Sequence, residues 1–191
     1  LLPRFSRYGG VEQFGYHLSG ALARKGYAVD FICARQEVEA PEGVRVISVG
    51  RKGVFKSVKM LWFLVRAEQE RKKGHYDLSI SLGKTWNQDL SRVGGGPLSL
   101  FREKSEKALP KGLPRLAKRL SRRLSPANWL TFAIEKHQFT KGSEVVAASH
   151  LVRDWLLEAH TDLEPERVDI VYNRPDLQRF FVPSREERLQ R

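Results

Sequence analysis

The chain has 191 residues, 41% of them hydrophobic, enough to enclose one substantial core. Its 34 Lys and Arg outweigh 22 Asp and Glu, and the formal net charge of +12 calls for an anionic partner: nucleic acid, a phosphorylated small molecule or an anionic membrane surface. The single Cys33 excludes an internal disulfide, and the longest apolar run, 60–65, is far shorter than the roughly 20 residues of a membrane span.

Leu1-Leu2-Pro3 reads as the end of a first strand. Tyr8-Gly9-Gly10-Val11-Glu12-Gln13-Phe14 then reads as a glycine turn opening a helix. Paired glycines let the backbone approach a ligand closely, and the unpaired N–H groups of the first helical turn face the same point. Gly9 and Gly10 are therefore candidates for binding a phosphate or diphosphate. Val11, Phe14, Leu18, Ala21 and Leu22 form the helix's apolar stripe, and Arg24, Lys25 and Gly26 end it. Residues 27–34 read as a buried parallel strand holding Cys33 as an inert thiol, the usual state in a cytosolic protein.

A third strand is expected over 44–50 and a helix over 55–73, with Val58, Leu61, Trp62 and Val65 on its apolar face. Residues 76–83 read as a fourth strand, and 83–101 as a loop carrying Lys84, Arg92 and Gly94-Gly95-Gly96-Pro97. Helices follow over 114–124 and 127–140, then a strand over 144–149, a helix over 151–159 with Ser149 as its N-cap, and a last strand over 167–172. Ser184-Arg185-Glu186-Glu187 fits a capping box opening another helix. Strands alternating with helices predict an α/β fold, a Rossmann-like parallel sheet with helices on both faces. In such sheets ligands bind beyond the carboxyl ends of the strands, where both glycine turns belong. His17, His75, His137, His150 and His160 show no metal-ligand spacing with Cys or acids, so no metal is expected and each histidine reads as a surface or capping residue.

Residues 102–123 hold nine basic residues against two glutamates. Leu113, Leu116, Leu120 and Leu124 recur among them at helical spacing. A helix with a leucine stripe and cationic flanks can lie in an anionic membrane interface, with Lys111, Arg115, Lys118, Arg119, Arg122 and Arg123 towards the lipid. It can equally pack its leucines on the domain and leave its charges solvated. A nucleic-acid interface would interleave aromatic residues for stacking, and 102–123 has none.

Taken in order, these pieces resemble the N-terminal half of family 4 glycosyltransferases, two-domain GT-B enzymes. The resemblance rests on Gly9-Gly10-Val11-Glu12 with its helix, Leu22-Ala23-Arg24-Lys25-Gly26-Tyr27, Tyr76-Asp77-Leu78-Ser79-Ile80, Glu135-Lys136-His137-Gln138-Phe139, Val145-Val146-Ala147-Ala148-Ser149 and Val168-Asp169-Ile170-Val171-Tyr172-Asn173. Asp89-Leu90-Ser91-Arg92-Val93-Gly94-Gly95-Gly96 looks like the branch that glucosylates lipopolysaccharide core or related envelope glycans.

The resemblance implies an acceptor-side domain over 1–180, with 181–191 leading towards a donor-binding domain missing from this chain. It implies sugar transfer from a nucleotide-sugar donor to a cell-envelope glycan or glycolipid, with retention and without a metal or other cofactor, at the inner face of the cytoplasmic membrane. Gly9 and Gly10 would approach the donor diphosphate, while Lys84, Arg92, Gly94, Gly95 and Gly96 would line the acceptor side. The family's pair of glutamates eight residues apart lies in the other half, so this chain alone is expected to be inactive. Pro97-Leu98 stand where relatives often carry His, and Arg174-Pro175 where Gly usually follows the Asn. Two other readings stay open: a stand-alone, non-catalytic acceptor- or membrane-binding subunit that recruits a catalytic partner, and a basic nucleic-acid-binding domain.

Overall fold

The computed structural model describes residues 1–110, 112–140 and 143–173. The expected helix start at Ser184 and the segment 181–191 lie outside the described residues, as does the end of the 1–180 domain.

Helix α1 (Gly10–Arg24) follows Gly9, whose φ of +97° a side chain would resist. It lies against strands β1 (Arg4–Phe5), β2 (Val29–Cys33) and β4 (Val44–Ser48). The short β3 (Arg35–Gln36) prolongs β2 and pairs with β1. Beyond α2 (Lys56–Lys73) come β5 (Ile80–Ser81) and β6 (Leu90–Val93), then helices α3 (Leu98–Lys107), α4 (Leu113–Arg123) and α5 (Pro126–Thr140). Strand β7 (Glu144–Ala147), helix α6 (His150–Ala159), a 3-10 turn (Pro165–Arg167) and β8 (Val168–Ile170) complete the described part.

Among the described residues every strand pair is parallel. Residues 1–3 stitch the ladders together. Leu2 N–H donates to the Ile32 carbonyl (3.2 Å) and Ala34 N–H to that of Pro3 (3.0 Å), while Leu82 N–H donates to that of Leu1 (3.1 Å). The strand order is thus β4, β2, β1, β5, β6, β7, β8, and the chain reverses its direction of travel between β1 and β5. Parallel sheets open their ligand crevice at such a switch point.

Alternate residues of β2 serve opposite layers. Phe31 and Cys33 pack with Phe5, Val44 and Leu82 beneath α1, whereas Ile32 packs on Phe63 and Ala67 of α2. Each large side chain so buried stabilises the fold by roughly 1.5–3 kcal/mol. Gly15 lets α1 approach the sheet: a Cβ there would lie 2.9 Å from Leu82 Cδ1. On the far side, Phe139 of α5 and Val152 and Leu156 of α6 enclose Val145, Ala147 and Val168. Ser149 Oγ accepts from Val152 N–H and caps α6 as its position predicts.

On α1, Val11, Phe14 and Leu18 pack partly buried against the core as the stripe predicts, with the small residues Gly15, Ser19 and Gly20 buried beside them. The structure corrects two other expectations of the fold. On α2, Val58, Leu61 and Val65 face solvent, and Phe63, Leu64 and Ala67 are buried instead. The apolar run 60–65 surrounds that helix, so periodicity could not choose its inner face. The segment 83–101 is not a loop, since it contains β6 and the start of α3.

Candidate functional site

The two glycine turns meet at the carboxyl edge of the sheet. Gly9 and Gly10 are exposed at the start of α1, and a Cβ on Gly10 would touch nothing within 4 Å. Glu12, in the same first turn, pairs with Arg4 (Nη2 to Oε1, 2.8 Å), so a phosphate at this turn would have a carboxylate neighbour. Gly94, just beyond β6, lies beside α1: a Cβ there would stand 3.8 Å from Val11 Cγ2 and 3.3 Å from Arg92 Nη1.

Arg92 is on β6 and is buried. Its guanidinium carbon lies 3.7 Å from the centroid of the Phe14 ring, and Nη2 donates to Asn173 Oδ1. Phe14 and Asn173 thus belong to the site although neither stood out in the sequence as a contact of Arg92. The other loop glycines differ in role. Gly95 faces open space, whereas a Cβ on Gly96 would lie 2.7 Å from Trp155 Cε3. Trp155, on α6, is also met by Lys104, whose Nζ is 3.9 Å from the ring centroid.

Lys84 pairs with Glu135 of α5 (Nζ to Oε1, 2.6 Å). Glu135 is buried, and its other oxygen accepts from Leu98 N–H (3.1 Å) at the start of α3. One carboxylate therefore holds the candidate lysine and an orphan N–H of a helix start. A lone acid in the inner part of α5 was the available signal for it. Nearby, His137 is half-buried and stacks on Trp86 (centroids 4.3 Å apart), with Nε2 3.2 Å from Asn87 Oδ1. Among the described residues no three His, Cys, Asp or Glu gather where a metal ion could be held.

Helix α4 presents its apolar side outwards. Leu113, Leu116, Leu120 and Leu124 are 55–82% exposed, so the alternative in which they pack on the domain does not hold. Phe101 and Trp129 are exposed as well. Lys118, Arg119 and Arg123 are exposed and Arg115 is half-buried, while Lys111 lies outside the described residues. Arg122 corrects the expectation of a lipid-facing side chain. Its Nη1 donates to Ser105 Oγ (2.7 Å) and lies 3.8 Å from Glu106 Oε1, tying α4 to α3. Among the described residues no helix is long and apolar enough to cross a membrane.

Comparison with known proteins bears on the fold. No family model and no curated protein matches the chain. Among solved structures, WaaG, a glycosyltransferase involved in lipopolysaccharide biosynthesis, superposes with a TM-score of 0.76 at 16% sequence identity. The chain has the fold of one half of a GT-B glycosyltransferase. The match covers 100% of this chain and 50% of WaaG, so the chain spans about half the length of the protein it resembles.

Proposed function

We propose that this chain is the acceptor-side half of a GT-B glycosyltransferase. The whole enzyme moves a sugar from a nucleotide-sugar donor to a cell-envelope glycan or glycolipid, with retention at the anomeric carbon and without a metal. Donor recognition and catalysis require the second half, and the described half is inactive alone. The observation that carries this reading is the full-length likeness to half of WaaG, together with an open glycine turn at the sheet's switch point.

In this reading the amides after Gly9 and Gly10 face the donor diphosphate and stabilise the charge that grows on the leaving phosphate. Lys84, Arg92, Gly94, Gly95 and Gly96 bound the acceptor side. Helix α4 places the enzyme on the inner face of the cytoplasmic membrane, near a lipid-linked acceptor. An exposed leucine stripe supplies apolar area to the interface. Lys118, Arg119 and Arg123 add roughly 1 kcal/mol each at an anionic surface.

Gly10 gives a clean test. A Cβ there meets no protein atom, so Gly10→Val should leave the fold intact while filling the space over the turn. The native gene product is assayed for release of sugar from nucleotide-sugar donors in the presence of envelope glycolipids. The proposal expects transfer by the native protein and at least a tenfold loss in the variant, about 1.4 kcal/mol of transition-state binding. Transfer that is unchanged in Gly10→Val removes the diphosphate from this turn. A native product of this length that transfers no sugar would instead favour the stand-alone, partner-recruiting subunit.

A further inference from the structure

Arg92 carries an unbalanced charge. The residue is 8% exposed, and its Nε has no hydrogen-bond partner among the described residues. Of the five guanidinium N–H donors, Nη2 meets the neutral Asn173 Oδ1, and the Phe14 ring covers one face. No described carboxylate pairs with it, and burial alone lowers its pKa. A buried cation without a counter-charge destabilises a fold unless something else compensates it. A purely structural position on β6 would be filled more favourably by an apolar residue.

The position of this charge indicates what compensates it. Arg92 lies near the carboxyl end of β6, where parallel sheets take their ligands, and beside the first turns of α1, whose free N–H groups favour anions. Gly94 keeps the guanidinium edge uncovered, because any Cβ there would stand 3.3 Å from Nη1. A Cβ on Gly10, at the start of α1, or on Gly95, next to Gly94, would meet nothing within 4 Å. A planar guanidinium with free donors is matched to the paired oxygens of a phosphate or carboxylate.

We infer that Arg92 is the anion receptor of this crevice, taking a phosphate or carboxylate group of a substrate between the Gly94 loop and the start of α1. The inference rests on the crevice being the substrate site proposed above, and it adds that the group held there is negatively charged. Two sources share this chemistry: the diphosphate of the donor and an anionic substituent of the acceptor.

The test is a nuclear magnetic resonance titration of this chain, following the Arg92 Nε–H and the amides of Gly9, Gly10 and Gly94. Inorganic phosphate and then pyrophosphate are the probes, with glucose as the neutral control. The inference expects saturable shifts of Arg92 Nε–H and Gly94 with at least one anion and none with glucose. Binding should weaken roughly 10- to 100-fold in Arg92→Gln, the size of a lost charged hydrogen bond. Arg92→Lys should retain part of it. If Arg92→Gln does not fold, Gly94→Val keeps the charge but covers it, and should weaken the anion in the same way.

Joint movement of Arg92 with Gly9 and Gly10 under pyrophosphate would assign the group to a donor diphosphate. Movement of Arg92 and Gly94 alone under phosphate would assign it to the acceptor. Shifts at Gly9 and Gly10 with none at Arg92 would overturn this inference and leave the glycine-turn proposal standing. Equal affinity in the native chain and Arg92→Gln would overturn it too.

Discussion

At the scale of single residues, three consecutive glycines differ in what a side chain would meet. Gly94 clears the Arg92 guanidinium, Gly95 touches nothing, and Gly96 admits the Trp155 ring. That ring cannot easily retreat, because Lys104 holds it from another direction. Gly96→Ala should therefore destabilise the chain by about 1–3 kcal/mol, as overpacking does, while Gly95→Ala should stay within about 0.5 kcal/mol of the native chain. Urea unfolding of both variants measures the difference, and equal midpoints would remove the packing role of Gly96. Cys33 offers a second check. It is completely buried, and burial pushes its thiol up to about 11. Thiolate is the reactive form, so a chromogenic thiol reagent at neutral pH should label Cys33 only as fast as the chain unfolds. Labelling at the rate of a free thiol would contradict the burial.

At the scale of elements, α4 reverses the ordinary amphipathic arrangement. Its leucines face solvent, while Arg122 holds it to α3 through Ser105 and Glu106. Leu116→Ser with Leu120→Ser should then change stability by no more than about 0.5 kcal/mol, the range for surface substitutions. The same pair should abolish binding to anionic vesicles in a sedimentation assay. Replacing Lys118, Arg119 and Arg123 with Gln should weaken that binding and flatten its salt dependence. A double serine variant that unfolds would show the leucines packed within the domain, and unchanged vesicle binding would remove the membrane role.

The legibility of each element followed its burial chemistry. The glycine turn, α1 and the cap at Ser149 could be read because 3.6-residue periodicity and local hydrogen bonding decide them. Strand β6 could not, because Leu90-Ser91-Arg92-Val93 buries a hydroxyl and a guanidinium where a central strand is normally apolar. Of the candidate site residues, Gly9 and Gly10 stood out through turn chemistry, whereas Arg92 and Gly94 entered through the resemblance and Arg92 was expected on a loop rather than on β6. Glu135 and Phe14 could not be placed, since their partners lie 37–51 and 78 positions away in the chain and only the fold brings them together.

At the scale of the whole molecule, the two sides of the sheet share one weakness at high pH. Cys33 lies under α1, and Tyr76 packs with the α2 side, where burial first and the Asp30 carboxylate second push its hydroxyl up to about 12. Both groups hold their protons longer in the folded chain than in the unfolded one. Between the unfolded and folded values the unfolded state therefore binds fewer protons, and stability falls as pH rises. The decline should begin near pH 9, where an exposed thiol ionises, and continue towards pH 12. Asp30 acts at the other end. Arg45 holds its carboxyl below the usual range, and that contribution is lost as pH falls through the folded value. Tyr76→Phe separates the two: it should remove the upper part of the alkaline decline and leave the Arg45 pairing that protects against acid. Urea midpoints measured from pH 3 to pH 11 test both arms, within the range where carboxyls and thiols titrate (~3–11). A midpoint that stays flat from pH 9 to pH 11 would mean that Cys33 and Tyr76 are open to water and that the two layers do not close over β2 as described.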